Sequence, residues 1–252
     1  MAVKDGKLFS ADQSGAVLRE VFNQSNSNLE LLSLAELELR DARSMTLCHP
    51  KEETLAFNLK GPVTVEVDGV AFRLEHYDVL YIPRGAEYLA YDNSGADVLL
   101  YLYRAKADNV HPVRHMKWKD ISSDPARLRL LNRKKVFLMF DVGEPADRFM
   151  AGYTFYEDHA RAWPPHNHTD QEECYSFIEG SGAMQVYEDD EHLTFVKSTK
   201  IGSHITIPVL NYHPVFSHEE PLCFIWCIAG ERYWVGDKNK TFMDGKGEKI
   251  TT

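Results

Sequence analysis

Two histidines one residue apart open the segment His166-Asn167-His168-Thr169-Asp170-Gln171-Glu172-Glu173. On an extended strand, side chains at i and i+2 share a face, and a carboxylate a few residues on can fold back onto that face from the next strand. Glu173 is such a carboxylate. His213, in Pro208-Val209-Leu210-Asn211-Tyr212-His213-Pro214 after a strand-like run, is a fourth candidate. Imidazole nitrogens plus one carboxylate suit zinc, iron or manganese, with positions left open for water or substrate. A bare His-x-His arises often by chance. The candidate metal set His166, His168, Glu173 and His213 therefore rests on the wider pattern: a Glu five residues after the second His, Gly180 and Gly182 at the following turn, and Pro-x4-His downstream.

The elements that must hold these residues read as strands. Leu55-Ala56-Phe57-Asn58-Leu59, a Gly61-Pro62 turn, Val63-Thr64-Val65-Glu66-Val67, an Asp68-Gly69 hairpin and Val70-Ala71-Phe72-Arg73-Leu74 are short alternating runs around turn dipeptides. That pattern belongs to antiparallel barrels and sandwiches. Leu29 to Leu39 has enough leucines for a helix, but Leu37-Glu38-Leu39-Arg40 alternates with period two and predicts strand. A strand is also expected at Ala16-Val17-Leu18, ahead of the loop-like Asn23 to Asn28.

The second half replays the first. Phe177-Ile178-Glu179-Gly180 stands where Asn58-Leu59-Lys60-Gly61 stands, His204 to Pro208 matches Val79 to Pro83, and Leu222 to Cys227 matches Val98 to Tyr103. The expected organisation is an N-terminal barrel over residues 1–105, a linker over 106–145 and a C-terminal barrel over 146–252. The repeat also acts as an internal control. It sets Leu47, His49, Thr54 and Tyr88 opposite the four candidate ligands, so the N-terminal barrel should be metal-free, with His49 a packing residue. His111 and His115, in the linker, have no carboxylate at strand spacing and are not expected to be ligands. Asn132-Arg133-Lys134-Lys135 reads as a solvated charge cluster.

Composition bounds the partners. At 252 residues and 44% hydrophobic the chain is globular, and its formal charge of −10 argues against a duplex or membrane-surface binder, which needs a basic face. Residues 1–7 lack the apolar core of a signal peptide and no apolar run reaches membrane-spanning length, so a cytoplasmic chain is expected. Cys48, Cys174, Cys223 and Cys227 form no CxxC pair and read as buried reduced thiols. A homo-oligomer is expected.

The His-x-His…Glu and Pro-x4-His motifs resemble the two motifs of a cupin barrel, and the repeat makes an all-β bicupin, two tandem double-stranded β-helix barrels. From about residue 30 the chain resembles the bicupin uronate isomerases, the 5-keto-4-deoxyuronate and 5-deoxyglucuronate isomerase family. The first-barrel core Gly61 to Gly69 with Asp78-Val79-Leu80-Tyr81-Ile82, Asn132 to Lys135, His166-Asn167-His168-Thr169 with Glu173, and Phe224-Ile225-Trp226 are similar to the pectin-pathway enzyme. Pro164-Pro165-His166-Asn167-His168 and Tyr212-His213-Pro214 look more like the inositol-pathway enzyme. The resemblance implies that His166, His168, Glu173 and His213 hold one divalent metal, zinc first, with manganese or iron as alternatives. Family members tend to carry a Trp and small polar residues ahead of this motif, whereas here the segment reads Asp158-His159-Ala160-Arg161-Ala162-Trp163.

The implied activity is a metal-dependent aldose-ketose isomerisation of a uronate or related sugar acid through a metal-stabilised enediolate. Glu173 is the expected fourth ligand and the lesser candidate for the base. Tyr175 shares its inward phase and is a candidate acid or hydrogen-bond donor, whereas Glu172, one residue off, is expected at the surface. For the substrate carboxylate the candidates are Arg161, Lys197 and Arg232. Competing readings are a cupin dioxygenase using iron, an epimerase or lyase on a small organic acid, and a non-catalytic sugar- or metal-binding cupin.

Overall fold

In the computed structural model the described residues are 7–10, 18–40, 44–161, 165–189 and 192–233. Two tandem cupin barrels follow one another, each an antiparallel large sheet closed by a small one. The large N-terminal sheet runs in the order Arg114–Met116, Val79–Ile82, Glu52–Lys60, Val98–Lys106, Leu32–Leu39, Leu18–Phe22. Its C-terminal counterpart runs Leu8–Ser10, Ser203–Ile207, Gln171–Glu179, Leu222–Gly230, Phe149–Tyr156, Lys134–Phe140, Leu128–Leu131. The equivalences read from the repeat hold in this order. The expected strand near residue 18 begins at Leu18 and runs on to Phe22, and the leucine-rich run is strand from Leu32 to Leu39. Ala16, Val17 and Trp163 lie outside the described residues.

Local chemistry explains the turns. Asp68 and Gly69, at φ 49° and 81°, close the hairpin between Val63–Val67 and Val70–Leu74, the left-handed pair that an Asp-Gly turn supplies. Gly61 and Gly180 both stand at φ 67°, and a Cβ on either would lie 2.3 Å from the Asp97 carbonyl oxygen or 2.0 Å from that of Pro221. The same close approach of backbones therefore recurs at the same place in each barrel.

Period-two burial divides each large sheet between two cores. In the strand Gln171–Glu179, Tyr175 and Phe177 enter the C-terminal barrel with Met184, Ile207, Phe224 and Trp226, whereas Cys174 faces the other way. That other way is not solvent. Cys174, Tyr153 and Ile225 pack against Phe57, Tyr103 and Leu34 of the first barrel, so the large sheets stack face to face over a shared core. Polar groups inside this layer are paired: Tyr103 Oη meets Ser176 Oγ, which lies 2.7 Å from His204 Nδ1, and His204 Nε2 lies 3.0 Å from Glu36 Oε1.

Three expectations need correction. The stretch 106–145 is not a spacer: Arg114–Met116 extends the N-terminal sheet, and Leu128–Leu131 and Lys134–Phe140 belong to the C-terminal one. Leu8–Ser10, placed by the sequence in the first barrel, pairs with Ser203–Ile207 of the second. Barrel boundaries are thus crossed by edge pairing, which composition does not signal. Of the four thiols, Cys174, Cys223 and Cys227 are buried as expected, but Cys48 is exposed.

Candidate metal centre

His166 and His168 lie just ahead of Gln171–Glu179, in an irregular segment rather than on the strand itself. What holds that segment is the loop carrying His213. Leu210, in the left-handed region at φ 67°, donates its N–H to the His168 carbonyl and accepts the Asn167 side-chain amide at 3.4 Å. Tyr212 is locked to Tyr187 by two backbone hydrogen bonds of 2.8 and 3.0 Å and by stacked rings 5.3 Å apart. His213 follows directly and is buried.

The side chains converge. One ligand atom from each of His166, His168 and His213 lies within 4.8 Å of the others, the only such His, Cys, Asp or Glu group found among the described residues. Glu173 completes the set from the strand: its Oε2 is 3.0 Å from His213 Nε2 and 3.3 Å from His168 Nε2. These contacts lack hydrogen-bond alignment, so Glu173 Oε2, His213 Nε2 and both ring nitrogens of His168 are buried without a hydrogen-bond partner. Orphaned buried polar atoms cost free energy. Here they are electron-pair donors aimed at one point, which is the arrangement a divalent cation satisfies.

Protonation states agree with that fit. Burial, then the neighbouring His213 and His168 rings, hold His166 well below the usual histidine range, leaving its nitrogen lone pair available. Burial works to raise the Glu173 carboxyl, but the facing His168 and His213 outweigh it and the group is held below its ordinary value, as a carboxylate. His213 Nδ1 is 2.9 Å from the Asn211 carbonyl oxygen, so Nδ1 carries the proton and Nε2 points its lone pair inward.

The other candidate residues divide. Tyr175 packs beside the histidines, its ring 5.5 Å from that of His213 and 4.4 Å from that of Phe224, and burial keeps its hydroxyl protonated far above neutral pH. Arg161 is exposed, in an isolated bridge to Phe216. Lys197 is exposed on the strand His192–Lys200. Arg232 has a different task from the one expected of it. Its guanidinium donates to the carbonyls of Phe149 and Ala146 at 3.0 Å each and of Asp141 at 2.5 Å, and it stacks over Phe140, so its fork is committed to tying the chain's last described turn to the inter-barrel layer.

Glu172 also departs from expectation. It does point away from Glu173, but its carboxylate is buried and accepts the backbone N–H groups of Glu30, Leu31 and Leu32 at 2.6, 2.8 and 3.2 Å. The opposite face of this strand is the barrel-barrel contact. His111 and His115 pair instead with Asp147 and Asp78, at 2.7 and 2.9 Å.

Fold and donor set together define a bicupin with a three-histidine centre in its C-terminal barrel. The KduI/IolB family model matches residues 7–244, and the chain belongs to that family. A protein of Bacillus pumilus named 4-deoxy-L-threo-5-hexosulose-uronate ketol-isomerase is 28% identical over 201 residues, 74% of this chain and 70% of the relative. One of the same name from Pectobacterium carotovorum is 22% identical over 210 residues, 77% of this chain and 72% of the relative. Among solved structures, an IolB-like protein from Salmonella typhimurium LT2 superposes with a TM-score of 0.78 at 18% identity, covering 92% of this chain and 95% of that one. The oxalate decarboxylase of Lactobacillus farciminis gives 0.70 at 14% identity over 93% and 88%, a likeness of fold alone.

Proposed function

We propose that this chain is a metal-dependent ketol-isomerase acting on a uronate-derived sugar. The observation that carries the reading is the set of buried, unpartnered donor atoms of His168, His213 and Glu173, with His166 beside them, in a chain of the KduI/IolB family. The names of the curated relatives support the reaction class.

A divalent ion, zinc first on a three-nitrogen, one-oxygen donor set, supplies Lewis-acid polarisation of a sugar carbonyl. His166, His168, Glu173 and His213 would hold it. The protein's own groups do the rest. The Asn211 carbonyl fixes the His213 tautomer, and Glu173 brings the negative charge that keeps the centre's net charge low. Tyr175 retains its proton and would donate a hydrogen bond to a substrate oxygen rather than remove a proton. Ile207, Phe224 and Trp226, which pack in the same apolar cluster as Tyr175, would exclude water from the reacting carbons.

The test is metal analysis of the purified protein followed by incubation with a panel of uronates and keto-sugars in deuterated water. Isomerisation through an enediolate places solvent deuterium on the carbon next to the carbonyl, and it proceeds without oxygen or nicotinamide. Turnover that strictly requires oxygen, with iron as the active metal, would replace this reading with a dioxygenase.

A further inference from the structure

The basic run Asn132-Arg133-Lys134-Lys135 is not one solvated cluster. Arg133, at φ 57° in the turn, spends its guanidinium on Asp158 at 2.6 Å and Glu157 at 3.6 Å, and Lys135 is exposed. Lys134 goes elsewhere. In the strand Lys134–Phe140, Phe137 and Met139 belong to the inter-barrel core, whereas Leu138 lies in the interior of the C-terminal barrel with Val136 packed against it. Period two puts Lys134 on the face of Val136 and Leu138, toward the barrel interior.

Its surroundings lead to the metal centre. Lys134 pairs across the ladder with Tyr156, and its Nζ stands 5.7 Å from the Tyr156 ring centroid. From there the rings are continuous: Tyr156 to Phe224 at 5.6 Å, Phe224 to Tyr175 at 4.4 Å, Tyr175 to His213 at 5.5 Å. No carboxylate pairs with Lys134 among the described residues, although the chain carries an excess of ten negative charges. Half-buried cations turned toward a protein interior are ordinarily paired, and an unpaired one is a functional signal. Burial lowers its pKa to about 8, which leaves it mostly charged at neutral pH, and an anion beside it would restore the lost stability of the charged form.

We propose that Lys134 is the group that receives the carboxylate of the sugar acid, set along the aromatic wall of the C-terminal barrel from the three-histidine centre. A carboxylate there supplies the missing counter-charge while the sugar chain lies over Tyr156, Phe224 and Tyr175 toward His213. This takes the place in the site that sequence reasoning offered to Arg161, Lys197 and Arg232. It rests on the proposed function only in taking the ligand to be a sugar acid.

The experiment is calorimetric titration of the metal-loaded full-length protein with D-glucuronate and with D-glucose, which differ by carboxylate against hydroxymethyl at one carbon. Wild type, Lys134→Met and Lys134→Arg are compared, with metal content and thermal midpoint measured for each. Wild type should favour the acid, Lys134→Met should lose at least about tenfold in affinity for the acid with glucose binding unchanged, and Lys134→Arg should recover part of the loss. No acid preference in wild type, or equal weakening of both ligands in Lys134→Met, overturns the assignment. If Lys134→Met does not fold, Lys134→Gln carries the same comparison. Isomerisation of the uronate panel by wild type is read separately, so failure of the isomerase reading and failure of the Lys134 assignment give different results.

Discussion

Glu173 and Thr54 occupy the same place in the two barrels. Glu173 pairs across its ladders with Ile207 and Ile228, and Thr54 pairs in the same way with Ile82 and Arg104. Where one barrel sets a carboxylate among imidazoles, the other sets a neutral hydroxyl beside a guanidinium. Arg104 is held there by Glu20 and by Glu52, the latter at 3.8 Å, and the His49 Nε2 that answers to a ligand is 3.2 Å from Tyr88 Oη. A fixed cation at this position repels a divalent ion.

Metal binding should therefore be confined to the second barrel. Purified protein is expected to hold one tightly bound equivalent per chain by elemental analysis. Loss of an outer-shell partner alone costs about 10- to 100-fold in metal affinity, so His168→Ala, which removes a ligand, should cost at least about 100-fold. His49→Ala should leave affinity unchanged. A second tight equivalent that survives His213→Ala would contradict this division.

Stripping the metal should abolish turnover and leave the chain folded. Small zinc domains unfold without their ion because binding supplies their folding energy. Here three apolar clusters, one shared between the barrels, remain without it. After chelation, the β-type circular dichroism spectrum and a cooperative thermal transition should persist, and activity should return on adding back the ion.

Glu172→Ala should destabilise the chain by about 3 kcal/mol, since three backbone donors, that of Leu32 buried and the others partly so, each lose a charge-assisted partner. Because Glu172 faces the first barrel and Glu173 the metal centre, affinity for the ion in the folded variant should be that of wild type. Urea denaturation with a parallel metal titration separates the two effects.

The pH dependence of stability has a defined contribution from His49. Burial, and secondarily the charge of Arg104, lower its pKa from 6.5 to about 4 in the folded chain. Between those values the unfolded chain binds a proton that the folded chain does not, so stability falls as pH drops from about 6.5 to about 4. His49→Gln keeps a hydrogen-bonding side chain without the titration. Its urea midpoint should decline less steeply than that of wild type across this window, with the two curves parallel above pH 7.

Much of this architecture is a property of the sequence alone. The repeat, the Asp68-Gly69 hairpin and the two close-approach glycines are local or periodic features, fixed by backbone sterics within a few residues. The candidate donors were legible from motif spacing, but their convergence rests on a contact far along the chain, the loop at Leu210 that holds the segment of Asn167 and His168 against His213. What period two cannot tell is what covers each face of a strand. Glu172 looked solvent-bound and lies under the first barrel against Leu31, a contact spanning 141 residues of chain. Arg232 likewise took its role from partners far along the sequence, its guanidinium spent on backbone carbonyls 83 to 91 residues away. Those assignments depend on how two sheets stack and which edges exchange strands, and only the folded chain brings the surfaces that decide them within reach of one another.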